Sequence, residues 1–85
     1  MKQFSYKITD ALGIHARPGG ELAKVAKKFS SNVKVECNGK SVDGKKLIAL
    51  MSLCAKQGHT INVNVEGIDE NDCATALEAF VKEHL

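Results

Sequence analysis

The run "INVNV", Ile61 to Val65, alternates apolar and polar side chains without a break, and this alternation limits the chain more than any other feature. Successive side chains of a strand point to opposite faces, so a period of two describes a strand with one face covered and the other in water. The same period recurs in Phe4, Tyr6 and Ile8, separated by Ser5 and Lys7, and again in Val33, Val35 and Cys37. "NG" at Asn38 and Gly39 supplies the positive backbone dihedrals of a two-residue hairpin, which pairs the second strand with a third at Lys40 to Val42. A sheet of such strands needs cover on one side only.

Between the strands the period changes to that of amphipathic helices. Leu22, Val25, Ala26 and Phe29 recur at helical spacing with Lys24, Lys27 and Lys28 opposite, and Pro18 suits the first turn. In "KKLIALMSLC", Leu47, Leu50, Met51 and Cys54 have helical spacing, while Ile48 and Leu53 widen the apolar arc beyond one buried stripe, so part of this helix is expected to face solvent. Asp69 is expected to cap a last helix, with Glu70 and Asp72 favourable in its first turn and Cys73, Leu77, Phe80, Val81 and His84 along one face. The expected architecture is α+β, an open-faced β-sandwich of βαββαβα order: a four-stranded antiparallel sheet with three helices on one face. Eighty-five residues suffice for a single domain, 1–85, and with no tryptophan its core must be mainly aliphatic.

A net charge of +2 is too weak to mark a nucleic-acid binder. Lys24, Lys27, Lys28, Lys45 and Lys46 nevertheless gather in the first half and middle, whereas Asp69, Glu70, Asp72, Glu78 and Glu83 gather at the end, so the basic side suits an acidic partner. Cys37, Cys54 and Cys73 are odd in number, widely spaced and set in apolar patterns, and they read as buried thiols in a reducing cytoplasm. His15, His59 and His84 are far apart in sequence, with no ligand spacing that indicates a metal, and no cofactor is expected. The first residues lack a signal-like apolar stretch and no later segment is long enough to span a bilayer, so the chain is expected to be complete and cytoplasmic, with no membrane insertion.

The remaining feature is "LGIHARPGGELAKVAKKF", which sets His15 and Arg17 at the mouth of the first helix. A histidine ring can act as a nucleophile near neutral pH and hold a phosphoryl group on one nitrogen. A helix beginning at about Ala16 to Pro18 turns unpaired N–H groups and the positive end of its dipole toward His15, and Arg17 adds a permanent forked donor. Gly13 permits an unusual backbone angle before the site, and Gly19 and Gly20 leave room for an approaching donor. An isolated H-x-R triplet is more often an ordinary surface feature, so this chemistry alone does not decide the matter.

"GIHARP" before an amphipathic helix, then "NGKSV", then the short apolar helix "LIALMSL", together resemble the histidine-containing phosphocarrier (HPr) family of the bacterial sugar phosphotransferase system, over essentially the whole chain. The resemblance implies a carrier rather than an enzyme with turnover. His15 would take a phosphoryl group on its pros nitrogen, Nδ1, from phosphorylated enzyme I and pass it to enzyme IIA components for sugar uptake. Arg17 and the backbone of the Ala16, Arg17 and Pro18 region would steady the phosphate. Partners would dock on the first two helices, with Gly20, Lys24, Lys27, Leu47, Ile48 and Met51 as interface candidates; transcriptional regulators are further candidate partners, and nucleic acid is not.

The chain departs from the family pattern at several positions. Lys46 stands where many members carry a regulatory serine, so control by phosphorylation there is in doubt. Leu12 replaces a small polar residue, and Cys54 a glycine that often ends the second helix, where a left-handed cap suits glycine better. The glycine pair after Pro18 is also atypical. A regulatory binding protein of the same fold is the alternative to phosphoryl relay.

Overall fold

In a computed structural model covering residues 1–85, the seven expected elements form in the expected order. They are β1 (Lys2–Lys7), α1 (Ala16–Lys27), β2 (Asn32–Cys37), β3 (Lys40–Asp43), α2 (Leu47–Ser52), β4 (Thr60–Glu66) and α3 (Glu70–His84). The sheet is antiparallel throughout with strand order β1-β4-β2-β3. β4, the last strand in sequence, thus lies between the first two, pairing Phe4 with Val63 on one side and Val35 with Val63 on the other. The hairpin expected at Asn38 and Gly39 is present, both residues having positive φ (55° and 78°).

The sheet buries one face, as the period of two requires. Ile61, Val63 and Val65 of β4 and Val33, Val35 and Cys37 of β2 are buried under the helices, while Ser5 donates a hydrogen bond across to Asn62 (2.5 Å) on the other side. Leu22, Ala23 and Ala26 of α1 and Cys73, Leu77, Phe80 and Val81 of α3 complete an aliphatic core with Leu50 and Leu53 from the second helical segment.

Three local expectations are corrected. Asp69 precedes α3 but its carboxylate does not cap that helix. It accepts the N–H groups of Ser30 (2.8 Å) and Ser31 (2.9 Å) and the Ser31 hydroxyl, tying the exit of α1 to the entry of α3. These donors, the Ser31 hydroxyl foremost, hold the Asp69 carboxyl below the usual carboxylate range. Cys54 is exposed rather than buried, because α2 ends after one and a half turns and the chain leaves it through a left-handed residue, Cys54 itself (φ 52°). The helical repeat that aligned Cys54 with Leu50 therefore stops before reaching it. Finally, His84 does not share the buried face of Cys73, Leu77 and Val81; it stacks on Phe80 (ring centroids 4.6 Å apart) with its outer edge in solvent.

Candidate functional site

His15 is the residue immediately before α1, with extended backbone dihedrals (φ −124°, ψ −173°). Its carbonyl accepts the Gly19 N–H (2.8 Å) and so closes the first turn, and its half-buried side chain makes no capping bond. The N–H groups of Ala16 and Arg17 have no acceptor, as expected at a helix start. Pro18 has no N–H to offer, so the backbone donors at the site reduce to Ala16 and Arg17, and Pro18 contributes a buried ring with a fixed φ. The Arg17 side chain is exposed and forms no ion pair.

The segment leading into His15 is held from several directions. The Ile8 N–H donates to the His59 carbonyl and its carbonyl accepts the Gly58 N–H (both 2.9 Å). The Thr9 and Asp10 N–H groups donate to the main-chain oxygen of Leu85 (2.6 and 2.7 Å). Asp10 then shapes the turn, its carboxylate accepting the Leu12 N–H (2.8 Å) and its carbonyl the Gly13 N–H (3.1 Å). At Ile14, one residue before His15, the N–H donates to the Ala55 carbonyl (2.9 Å). Gly13 has φ +67°, and a Cβ there would lie 2.2 Å from the Ala55 carbonyl oxygen, so glycine is required by both conformation and space.

The other candidates fall into two groups. Leu47 is half-buried, its Cδ1 reaching within 3.1 Å of where a Gly19 Cβ would stand and its Cδ2 within 3.9 Å of that of Gly20. The room at Gly19 is therefore occupied by Leu47 of α2 and not kept open for a donor, which corrects that part of the sequence expectation, whereas at half-buried Gly20 Leu47 is only at ordinary contact distance. Ile48 and Met51 project into solvent, 78% and 40% exposed, whereas Leu50 and Leu53 are core. Leu12, also exposed, adds to the apolar surface around the site. Lys24 and Lys27 lie in the last turn of α1, about 13 and 18 Å along the axis from His15 at 1.5 Å per residue. There they favour the negative end of the helix dipole, and both lie beyond a Debye length of about 8 Å from the site. Lys46 is exposed at the start of α2, its carbonyl accepting the Leu50 N–H (3.0 Å).

Sequence spacing gave no sign of one further member. Asp10, His15, Arg17, Pro18 and His84 line a single shallow hollow, so a histidine from the far end of the chain shares the site. No group of three His, Cys, Asp or Glu side chains is arranged to hold a metal. No helix is long and apolar enough to cross a membrane.

A family model described as "PTS HPr component phosphorylation site" matches residues 2–83. The chain belongs to the HPr family. HPr is a phosphocarrier of the phosphotransferase system, not a catalyst. Among solved structures, the histidine-containing phosphocarrier protein of Mycoplasma is 35% identical with a TM-score of 0.94, the match covering 96% of this chain and 93% of that one. HPr from Thermoanaerobacter tengcongensis is also 35% identical, with a TM-score of 0.92 over 98% of this chain and 93% of that one. Crh, the catabolite-repression relative from Bacillus subtilis solved as a swapped dimer, is 32% identical with a TM-score of 0.78, covering 100% and 98% of the two chains. The HPr-like open-faced sandwich expected from the sequence is the observed fold.

Proposed function

We propose that this HPr-family member is a cytoplasmic relay in which His15 Nδ1 accepts a phosphoryl group from phosphorylated enzyme I and yields it to enzyme IIA components for sugar uptake. The observation that carries this reading is the coincidence, at the start of α1, of a half-buried histidine, two acceptor-free N–H groups at Ala16 and Arg17, and an arginine with no carboxylate partner. In the transfer the Nδ1 lone pair forms a bond to phosphorus while the bond from phosphorus to the donor breaks, its electron pair leaving with the donor. The ring proton resides on Nε2 during the attack, because Nδ1 must present a lone pair. The incoming oxygens meet donors already aimed at an anion, so little reorganisation accompanies the reaction.

Ile48 and Met51, with Leu47 and the Gly20 it touches, form the apolar docking surface in this reading. Lys24 and Lys27, both more than a Debye length from His15, act on an acidic partner where it overlies the end of α1 and add little to the field at the ring itself. Incubation of the pure protein with phosphoenolpyruvate and enzyme I yields an acid-labile phosphoprotein, and His15→Ala abolishes it. Equal labelling of the two proteins refutes the assignment.

The likeness to Crh supports a second reading, regulation through protein contacts. Lys46 opposes the version that depends on serine phosphorylation at that position, because lysine cannot accept the group. Growth of a deletion strain on phosphotransferase sugars separates the two, since a purely regulatory protein leaves uptake intact.

A further inference from the structure

We infer that His84 is a second, pH-dependent phosphoryl-positioning residue of the His15 site, a role that rests on His15 being the phosphoryl acceptor. His84 reaches the site because the end of α3 is bonded to the loop before it: the Leu85 main-chain oxygen accepts the N–H groups of Thr9 and Asp10 and, at 3.2 Å, the Thr9 hydroxyl. This bonding brings the neighbouring His84 ring to the hollow lined by Asp10, His15, Arg17 and Pro18.

The charges facing that hollow explain why a third donor matters. Asp10 contributes a carboxylate, and although its oxygen accepts the Leu12 N–H, its negative charge opposes a phosphoryl dianion. Arg17 is the only permanent cation among the lining residues. His84 can offer a ring N–H in either charge state and a full positive charge when protonated, and histidine is the side chain whose charge changes between about pH 5 and 8. On its own helix, Glu83 Oε1 lies 4.0 Å from His84 Nε2 and Lys82 pairs with Glu78 (3.9 Å), so Glu83 and, across the hollow, Asp10 are the carboxylates that face the ring. The ring is fixed over Phe80, which limits its freedom before any phosphate arrives. His84 therefore biases the phosphorylated state toward the acid side of neutrality, while Arg17 acts at all pH values.

The test is the equilibrium ratio of phosphorylated to free carrier in exchange with phosphorylated enzyme I, for wild type, His84→Ala and His84→Lys, with folding confirmed by circular dichroism. At pH 6 the alanine variant shifts the ratio about two- to fivefold toward free carrier, the range available from an exposed ion pair. At pH 8.5 the shift shrinks to the smaller contribution of a neutral ring N–H. The lysine variant, charged throughout, equals wild type at pH 6 and exceeds it at pH 8.5. A structural role for His84 predicts a pH-independent loss that lysine does not rescue, and that result, or no difference among the three, overturns the inference. If wild type itself takes no label, or keeps it in His15→Ala, the relay assignment fails first and is recognised separately.

Discussion

Gly13→Ala tests how the site is built, because the substitution meets two separable obstacles. The first is conformational: at φ +67° an L-residue costs about 1–2 kcal/mol. The second is steric: the new Cβ would sit 2.2 Å from the Ala55 oxygen and 2.6 Å from Lys56 Cα, both backbone atoms that cannot swing aside like a side chain. Forcing such an overlap adds about 1–3 kcal/mol. Gly39→Ala is the control, since Gly39 has φ +78° and nothing lies within 4 Å of where its methyl group would stand. The conformational cost and the gain from a stiffer unfolded chain are shared by the two variants, so their difference isolates the steric part.

With a urea slope of about 1 kcal/mol/M for a small protein, the midpoint for Gly13→Ala falls about 1–3 M below that of Gly39→Ala. That is a large share of the total, because about 0.05–0.15 kcal/mol per residue is all that holds a domain folded. In phosphorylation by enzyme I, Gly13→Ala is slower than Gly39→Ala under conditions where both are folded, because displacing the Ala55 carbonyl disturbs the bond that fixes Ile14 beside His15. Coincident urea midpoints for the two variants refute the claim that the backbone around Ala55 is the support against which the site is set.

Asp69→Asn destabilises the protein at pH 7, where the wild-type carboxylate is ionised and held by Ser30 and Ser31. Because its folded pKa is lowered, the advantage of wild type is complete above the unfolded value of about 3.9 and disappears as pH falls through the lower folded value; urea midpoints across pH 7 to 2 follow this, and a pH-independent gap contradicts it. Thiol labelling of the native protein modifies Cys54 alone, since Cys37 and Cys73 are buried and burial raises both thiols, and all three react in denaturant; mass spectrometry counts them. Ile48→Glu raises the KM for enzyme I about five- to thirtyfold by removing one or two kcal/mol of docking, whereas Ile68→Glu, just past the opposite end of β4, leaves it unchanged. Equal effects of the two substitutions would remove α2 from the docking surface.

The sheet is legible in the sequence because its information is local. Each of Val33, Val35, Ile61, Val63 and Val65 announces its face through its immediate neighbours, and Asn38–Gly39 announces its turn through the backbone angles it tolerates. The exposed arc of α2 is also visible, as Ile48 in excess of a buried stripe. What stays hidden is non-local: Asp69 bonds to Ser30 and Ser31 across 39 and 38 residues instead of to its own helix. A capping pattern states that an acceptor is available, not which donors tertiary packing will bring to it. Gly19 looks like space for a visiting molecule when the visitor is Leu47, because sequence shows that room exists but not what fills it.

His84 is the strongest example, and it shows how this small fold makes a defined site out of a loop. The chain between β1 and α1 has no regular structure, yet its main-chain groups bond to Gly58 and His59 before β4, to Ala55 after α2 and to Leu85 at the end of α3. Two segments distant in sequence, the connection between α2 and β4 and the end of α3, thus fix one short loop, and the second of them also brings a side chain to the hollow at His15. A catalytic or carrier geometry mounted on a loop is well defined only when such supports lock it. Side-chain chemistry at the site and loop anchorage are consequently one set of interactions: the bonds from Thr9 and Asp10 to Leu85 that hold the loop are the bonds that deliver His84 to it. Loosening the end of α3 should therefore disturb both the position of His15 and the pH dependence of its phosphorylation, whereas a change at the Asp69 tie, at the other end of α3, should lower stability and leave that pH dependence intact.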